Sequence, residues 1–107
     1  VGTAETRSVD EVASGIGGAT ADAVGDRLGR LGAQKQVLVV THSPQVAARG
    51  DAHFKVEKQS ETEKATTIVS CLQDEGRREE VARMLSGQAI TDEARGAADR
   101  LMQKQSA

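Results

Sequence analysis

Two adjacent carboxylates, Asp10 and Glu11, precede a glycine cluster, Gly15-Ile16-Gly17-Gly18. Further on, His42 follows the apolar run Val37-Leu38-Val39-Val40 and Thr41. In that order these residue types suit phosphoryl transfer. A carboxylate at a strand end can hold Mg²⁺, and its neighbour can orient an attacking water. A histidine at the tip of the next strand faces the same crevice, because α/β sheets bind ligands outside the carboxyl ends of their strands. Each piece is also ordinary by itself. Adjacent acids are a common solvated loop pair, glycines make tight turns, and a strand-end histidine is often only a hydrogen-bonding residue.

Other chemistries lack their motifs. Gly15 and Gly17 give G-x-G, but Thr20 breaks the dinucleotide fingerprint, and no G-x-x-x-x-G-K-[ST] phosphate loop occurs. No G-x-S-x-G nucleophile elbow is present. The single cysteine, Cys71, cannot close an internal disulfide, and in its apolar setting it reads as a small buried hydrophobe. His53 reads as an ordinary residue at a strand start. The charge runs Glu61 to Lys64 and Asp74 to Glu80 read as solvated faces.

Periodicity supplies the elements that would position these residues. Residues 1–8 show no apolar repeat and are expected to be irregular. Ala21, Val24, Leu28 and Leu31 recur at helical spacing, with Gly32 as the stop. Gln36 to Thr41 is the clearest strand, apolar on both faces as a strand covered on both sides would be. Ser43 and Pro44 form the start signal of a short helix running to Gly50. Ala52 to Glu57 and Thr66 to Leu72 alternate as an edge hairpin around a charged loop, Lys58 to Lys64. Asp74 is expected to cap a helix facing inward through Val81, Met84 and Leu85 and ending at Gly87. Thr91 is expected to cap a last helix bearing Ala94, Ala97, Ala98, Leu101 and Met102. The fold class is α/β, ending in two helices.

Composition limits how such a fold can be built. The chain has 107 residues, a formal charge of −2, no Trp or Tyr, and one Phe, Phe54. Sixteen alanines make up much of its apolar content. Aromatic side chains bury about 150–250 Å² each, so this core must come from small aliphatics. A chain of this length hides only about 60–70% of its unfolded surface. A thin core and one two-sided strand point to part of a larger sheet. No apolar run approaches the ~20 residues that cross a bilayer, and no secretory signal is visible. Interleaved charges and a single aromatic argue against a basic, base-stacking nucleic-acid surface.

The run from Asp10 to Ala21, the segment Val37-Leu38-Val39-Val40-Thr41-His42-Ser43-Pro44-Gln45-Val46-Ala47-Ala48, and Glu79-Glu80-Val81-Ala82-Arg83-Met84-Leu85-Ser86-Gly87 with Ile90-Thr91 are specific in combination. Over about residues 9–105 they resemble the C-terminal end of the RecN family of bacterial DNA repair proteins, SMC-like members of the ABC ATPase superfamily. The resemblance implies the C-terminal part of a P-loop ATPase head, from Walker B to the C-terminus over residues 9–107, after an irregular or foreign segment at 1–8. It makes Asp10 the Walker B ligand of Mg²⁺ and Glu11 the general base. Gly15, Ile16 and Gly17 fall in the D-loop region, and His42 is the switch histidine that senses the γ-phosphate. ATP and Mg²⁺ are the implied cofactors of the intact protein. A missing N-terminal ATPase lobe, a second head of the same type and DNA are its implied partners, with no membrane, in the bacterial cytoplasm and nucleoid.

The chain departs from the family in two places. The Walker B strand reads Thr6-Arg7-Ser8-Val9 where apolar residues are usual, and Ala13 stands where an acid is usual. Walker A, the Q-loop and the signature motif are absent from these residues. The resemblance therefore implies a part of a repair ATPase, inactive alone. The alternatives are a non-enzymatic interaction fragment and a degraded reading frame.

Overall fold

The computed structural model describes residues 6–10, 15–61, 64–87 and 89–103. Strand β1, Thr6–Asp10, leads by way of Gly15 to Gly17 into helix α1, Gly18–Gly32, and then strand β2, Gln36–Val40. β1 and β2 pair in parallel, with Thr6 opposite Gln36 and Asp10 opposite Val40. Residues 6–8, expected to be irregular, are thus extended. Arg7 and Ser8 are tolerated there because β1 is solvent-facing along most of its length. Thr6 adds a side-chain bond across the pair, its Oγ1 donating to Gln36 Oε1 at 2.8 Å. The ladder to β2 is a long-range contact that no local periodicity reveals.

Helix α2, Pro44–Ala47, starts where its sequence signal lies. Ser43 Oγ accepts the Val46 N–H at 3.3 Å, and Pro44 occupies the first turn, where a missing N–H does no harm. Strands β3, His53–Glu61, and β4, Lys64–Leu72, pair antiparallel as a separate two-stranded sheet. Their register runs from His53 opposite Leu72 to Glu61 opposite Lys64. The expected charged loop, Lys58 to Lys64, is therefore mostly ladder. Backbone pairing between the strands carries through polar residues such as Lys58 opposite Thr67 and Gln59 opposite Thr66.

Helices α3, Asp74–Ser86, and α4, Asp92–Gln103, close the fold. Gln73, not Asp74, is the N-cap of α3. Asp74 is the first helical residue and holds φ 42°, a left-handed conformation that Asp tolerates better than most residues. Gly87 ends the helix at φ 88°, where a side chain would be strained. Thr91 does cap α4, its Oγ1 accepting the Ala94 N–H at 3.1 Å.

The core lies where α2, α3 and α4 meet. Ala48, Val81, Ala82 and Ala98 are fully buried, and Leu85, Ile90, Leu101 and Met102 pack around them. Small residues on facing helices let the backbones approach, which is how an alanine-rich chain obtains a packed core. Ion pairs lace the α3–α4 seam: Arg95 grips both oxygens of Glu79 at 2.8 and 3.1 Å, and Arg78 Nε meets Asp99 Oδ1 at 2.8 Å.

The strands are covered less completely. β2 was expected to be buried on both faces, yet Leu38 is 58% and Val40 53% exposed. Its inward residues alternate with these outward ones, so the described residues cover one face only. On the hairpin, Phe54, Val56 and Val69 share one exposed face with Cys71. Cys71 is therefore not the buried hydrophobe its setting suggests. Alternation places it on a face of the strand but cannot say which face is covered.

Candidate functional site

β1 and β2 run parallel, so both end on the same side of their sheet. Asp10 closes β1 there, and His42 lies two residues beyond the end of β2. Both are exposed. Glu11 lies outside the described residues. Where the chain leaves β2, the Ser43 N–H donates to Thr41 Oγ1 at 2.9 Å, and Ser43 Oγ donates to Gln45 Oε1 at 3.1 Å. These short-range bonds fix the turn on which His42 sits.

A cleft of about 370 Å³ opens beside this turn. Gly15, Ile16, Gly18 and Ala21 form the wall contributed by the start of α1. His42, Ser43, Pro44 and Gln45 form the opposite wall, and Met84 and Leu85 from the end of α3 close it. The structure thus brings together Gly15, Ile16 and His42, three of the residues singled out in sequence. Gly17 caps α1 at the same corner without lining the cleft. Asp10 stands at the strand end and does not line it either. Gly15 takes φ 78°, so the glycine is required for the turn that presents Ile16. α1 has no acidic residue in its first turn to offset the positive end of its dipole.

Among the described residues, no cluster of three or more His, Cys, Asp or Glu side chains could hold a metal. Asp10 offers one exposed carboxylate. That fits Mg²⁺, which keeps several waters and binds through one or two carboxylates plus substrate phosphates.

The walls of the cleft are held by residues that sequence reading passed over. Arg49, only 9% exposed in its side chain, binds Asp22 Oδ1 at 2.9 Å and Asp26 Oδ1 at 2.8 Å, tying the end of α2 to α1. Arg77 of α3 donates from Nη2 to the carbonyls of Ala47 and Ala48 at 3.2 Å, and to that of Gly50. Burial disfavours its charge and lowers its pKa, an effect Asp51 opposes. The one available sequence signal was the i, i+4 acid pair Asp22 and Asp26 on one face of α1; nothing local pointed to their partner.

A second polar cluster lies under β3. Glu80 is buried, against the expectation of a solvated charge run. Both its oxygens are held by Arg83 at 2.6 and 2.7 Å, and Lys55 Nζ lies 3.3 Å away. The hydrogen bonds from Arg83, helped by the charges of Arg83 and Lys55, hold the Glu80 carboxyl below the ordinary glutamate range against the opposing effect of burial. Burial, and secondarily Arg77, pushes the His53 imidazole down, which Glu80 partly offsets.

No protein-family model matches the chain. Curated relatives do. DNA repair protein RecN of Xylella fastidiosa (strain Temecula1) is 48% identical over 102 residues, which is 95% of this chain and 18% of that protein. This chain belongs to the RecN family. RecN of Deinococcus radiodurans is 55% identical over 86 residues, covering 78% of this chain and 15% of that protein. RecN of Rickettsia bellii is 48% identical over 94 residues, covering 87% and 17%. The chain therefore corresponds to a C-terminal part of RecN and spans less than a fifth of these relatives' length. A solved structure described as "Structural biochemistry of ATP-driven dimerization and DNA stimulated activation of SMC ATPases" superposes with a TM-score of 0.64 at 17% identity. It covers 80% of this chain, which covers 51% of that one. The segment thus shares the α/β fold of about half of that SMC ATPase chain. None of the described helices is long and apolar enough to cross a membrane.

Proposed function

We propose that this segment supplies the Walker B, D-loop and switch-histidine side of a RecN ATPase head that acts in recombinational repair of DNA double-strand breaks. One observation carries the reading: Gly15, Ile16 and His42 line a single cleft at the carboxyl end of the parallel β1–β2 pair. Asp10 would be a ligand of Mg²⁺ and Glu11 the base that positions water. The bound metal would neutralise charge on the transferring phosphoryl group. His42, exposed on a fixed turn, would offer an imidazole N–H to a terminal phosphate oxygen. Such a contact stabilises charge that grows as the phosphoryl group transfers. Gly15 and Gly17, on either side of the exposed Ile16, would let the backbone of a second head come close at those two positions.

The remainder of the head would bring the phosphate loop, and a second head would close on the nucleotide. The name of the solved neighbour couples SMC ATPases to ATP-driven dimerization and DNA stimulation. By that analogy the same two events would control this site. Support also comes from the open faces of β2 and the hairpin, which suit a segment designed to sit inside a larger head.

The test is reconstitution. Mixing this chain with a separately expressed lobe carrying the phosphate loop is expected to restore Mg²⁺-dependent ATP hydrolysis. Glu11→Gln in this chain is expected to remove that activity by about 10²-fold or more. Turnover of ATP by this chain alone, lost on Glu11→Gln, would overturn the division of labour.

A further inference from the structure

The cleft has two walls, and their separation depends on how α1 sits against the segment from His42 to Gly50. Three contacts set it. At Gly25 of α1 the backbones touch: an added Cβ would stand 2.9 Å from the Gln45 carbonyl oxygen and 3.2 Å from Val46 Cα. At the helix start, a Cβ on Gly18 would lie 3.3 Å from Gln45 Nε2. Between them Arg49 spans Asp22 and Asp26, one helical turn apart on α1, with a side chain that is 9% exposed.

Arg49 is the only charged member of this junction on the α2 side. A planar guanidinium that reaches two carboxylates fixes both translation and rotation of α1, which a single ion pair could not do. The same segment is held from behind by Arg77, whose Nη2 gathers the carbonyls of Ala47, Ala48 and Gly50. His42 itself is fixed to α2 by the Thr41–Ser43–Val46 bonds. The chain of contacts therefore runs from Asp22 and Asp26 through Arg49 and α2 to His42.

We infer that Arg49 is a positioning residue: its clamp on Asp22 and Asp26 sets the distance between His42 and the Gly15–Ile16 wall. This rests on the reading of His42 as a contact to the terminal phosphate. Misplacing a group by about 1 Å can slow a reaction by about 10²-fold, so a clamp of this kind has catalytic consequences without touching the nucleotide.

The experiment is steady-state ATP hydrolysis with Mg²⁺ by a complete RecN polypeptide carrying this segment. Arg49→Ala is expected to lower kcat by about ten- to a hundredfold while KM for ATP stays within about twofold. Asp22→Asn and Asp26→Asn are expected to produce smaller losses of the same kind, and they carry the comparison if the Arg49→Ala protein does not fold. Arg49→Lys is expected to recover only part of kcat, because an ammonium cannot span both carboxylates. In a His42→Ala background, Arg49→Ala is expected to have no further effect on kcat. Arg95→Ala, which breaks an α3–α4 ion pair away from the cleft, measures what a purely structural loss does to Tm and kcat. If His42→Ala lowers kcat but Arg49→Ala and both Asp variants change only Tm, the inference is wrong and the reading of His42 stands. If the two losses multiply independently, the inference is also wrong. If His42→Ala leaves kcat unchanged, the underlying reading falls and takes the inference with it.

Discussion

The helical corner and the sheet side of this chain solve burial in opposite ways. Around α3 and α4, Ala48, Val81, Ala82 and Ala98 are fully enclosed, and arginine–carboxylate pairs seal the seam. On the sheet side, larger side chains stay in solvent: Leu38, Val40, Phe54, Val56 and Val69 are all more than half exposed. The residues with most apolar surface are thus the least covered. In a chain that spans under a fifth of its relatives, the small-residue corner is complete in itself and the sheets are open. The difference separates what the described residues bury among themselves from what they leave open.

That contrast can be broken by substitution. Val81→Ala, at a fully buried site, is expected to lower unfolding stability by about 2 kcal/mol in urea titration, a large fraction of what a small domain has. Gly25→Ala, where the new methyl meets backbone at 2.9 Å, is expected to cost about 1–3 kcal/mol and to open the cleft. Leu38→Ser, at a 58% exposed site, is expected to change the stability of this chain by less than about 0.5 kcal/mol. A large loss from Leu38→Ser, or none from Val81→Ala, would reverse the assignment of the two regions.

Acid sharpens the same comparison through the cluster under β3. The His53 imidazole sits below its ordinary value of 6.5 when folded, so its neutral form is favoured. Its contribution is whole above pH 6.5 and is lost as pH falls through the lower folded value. Glu80 sits below its ordinary 4.5, so its contribution is whole above that pH and is lost on further acidification. Stability is therefore expected to decline in two steps as pH falls. Glu80→Gln should shrink the lower step, leaving the share of Glu79, which its hydrogen bond to Arg95 also holds low. It should deepen the upper one, because the Glu80 charge offsets the lowering of His53; thermal melts at graded pH check both.

Much of this was legible because it is local. Ser43-Pro44 and Thr91 announce helix starts through bonds to residues three positions away, and Val37 to Val40 announces a strand by apolar content alone. Strand order predicts that Asp10 and His42 share one end of the sheet; the parallel pair ends both strands on that side, while the cleft joins His42 to Gly15 and Ile16 instead. What was not legible depends on partners distant in sequence. β1 carries Arg7 and Ser8 yet is a strand because β2 lies beside it. Lys58 and Gln59 stay in the ladder because Thr67 and Thr66 pair with them. Cys71 is exposed because its face of the hairpin is the uncovered one. Glu80 is buried because Lys55, 25 positions earlier, and Arg83 meet it. Arg49 was missed because its two partners lie a helix and a strand away.

The most direct measurement is single-turnover hydrolysis of ATP by a complete RecN polypeptide carrying this segment, with Asp10→Asn and His42→Ala compared with the unsubstituted protein. Each variant is predicted to retain nucleotide binding and to lose about 10²-fold in the hydrolysis rate. Rates equal to that of the unsubstituted protein in both variants would show that the strand-end cleft is not where the phosphate is cleaved.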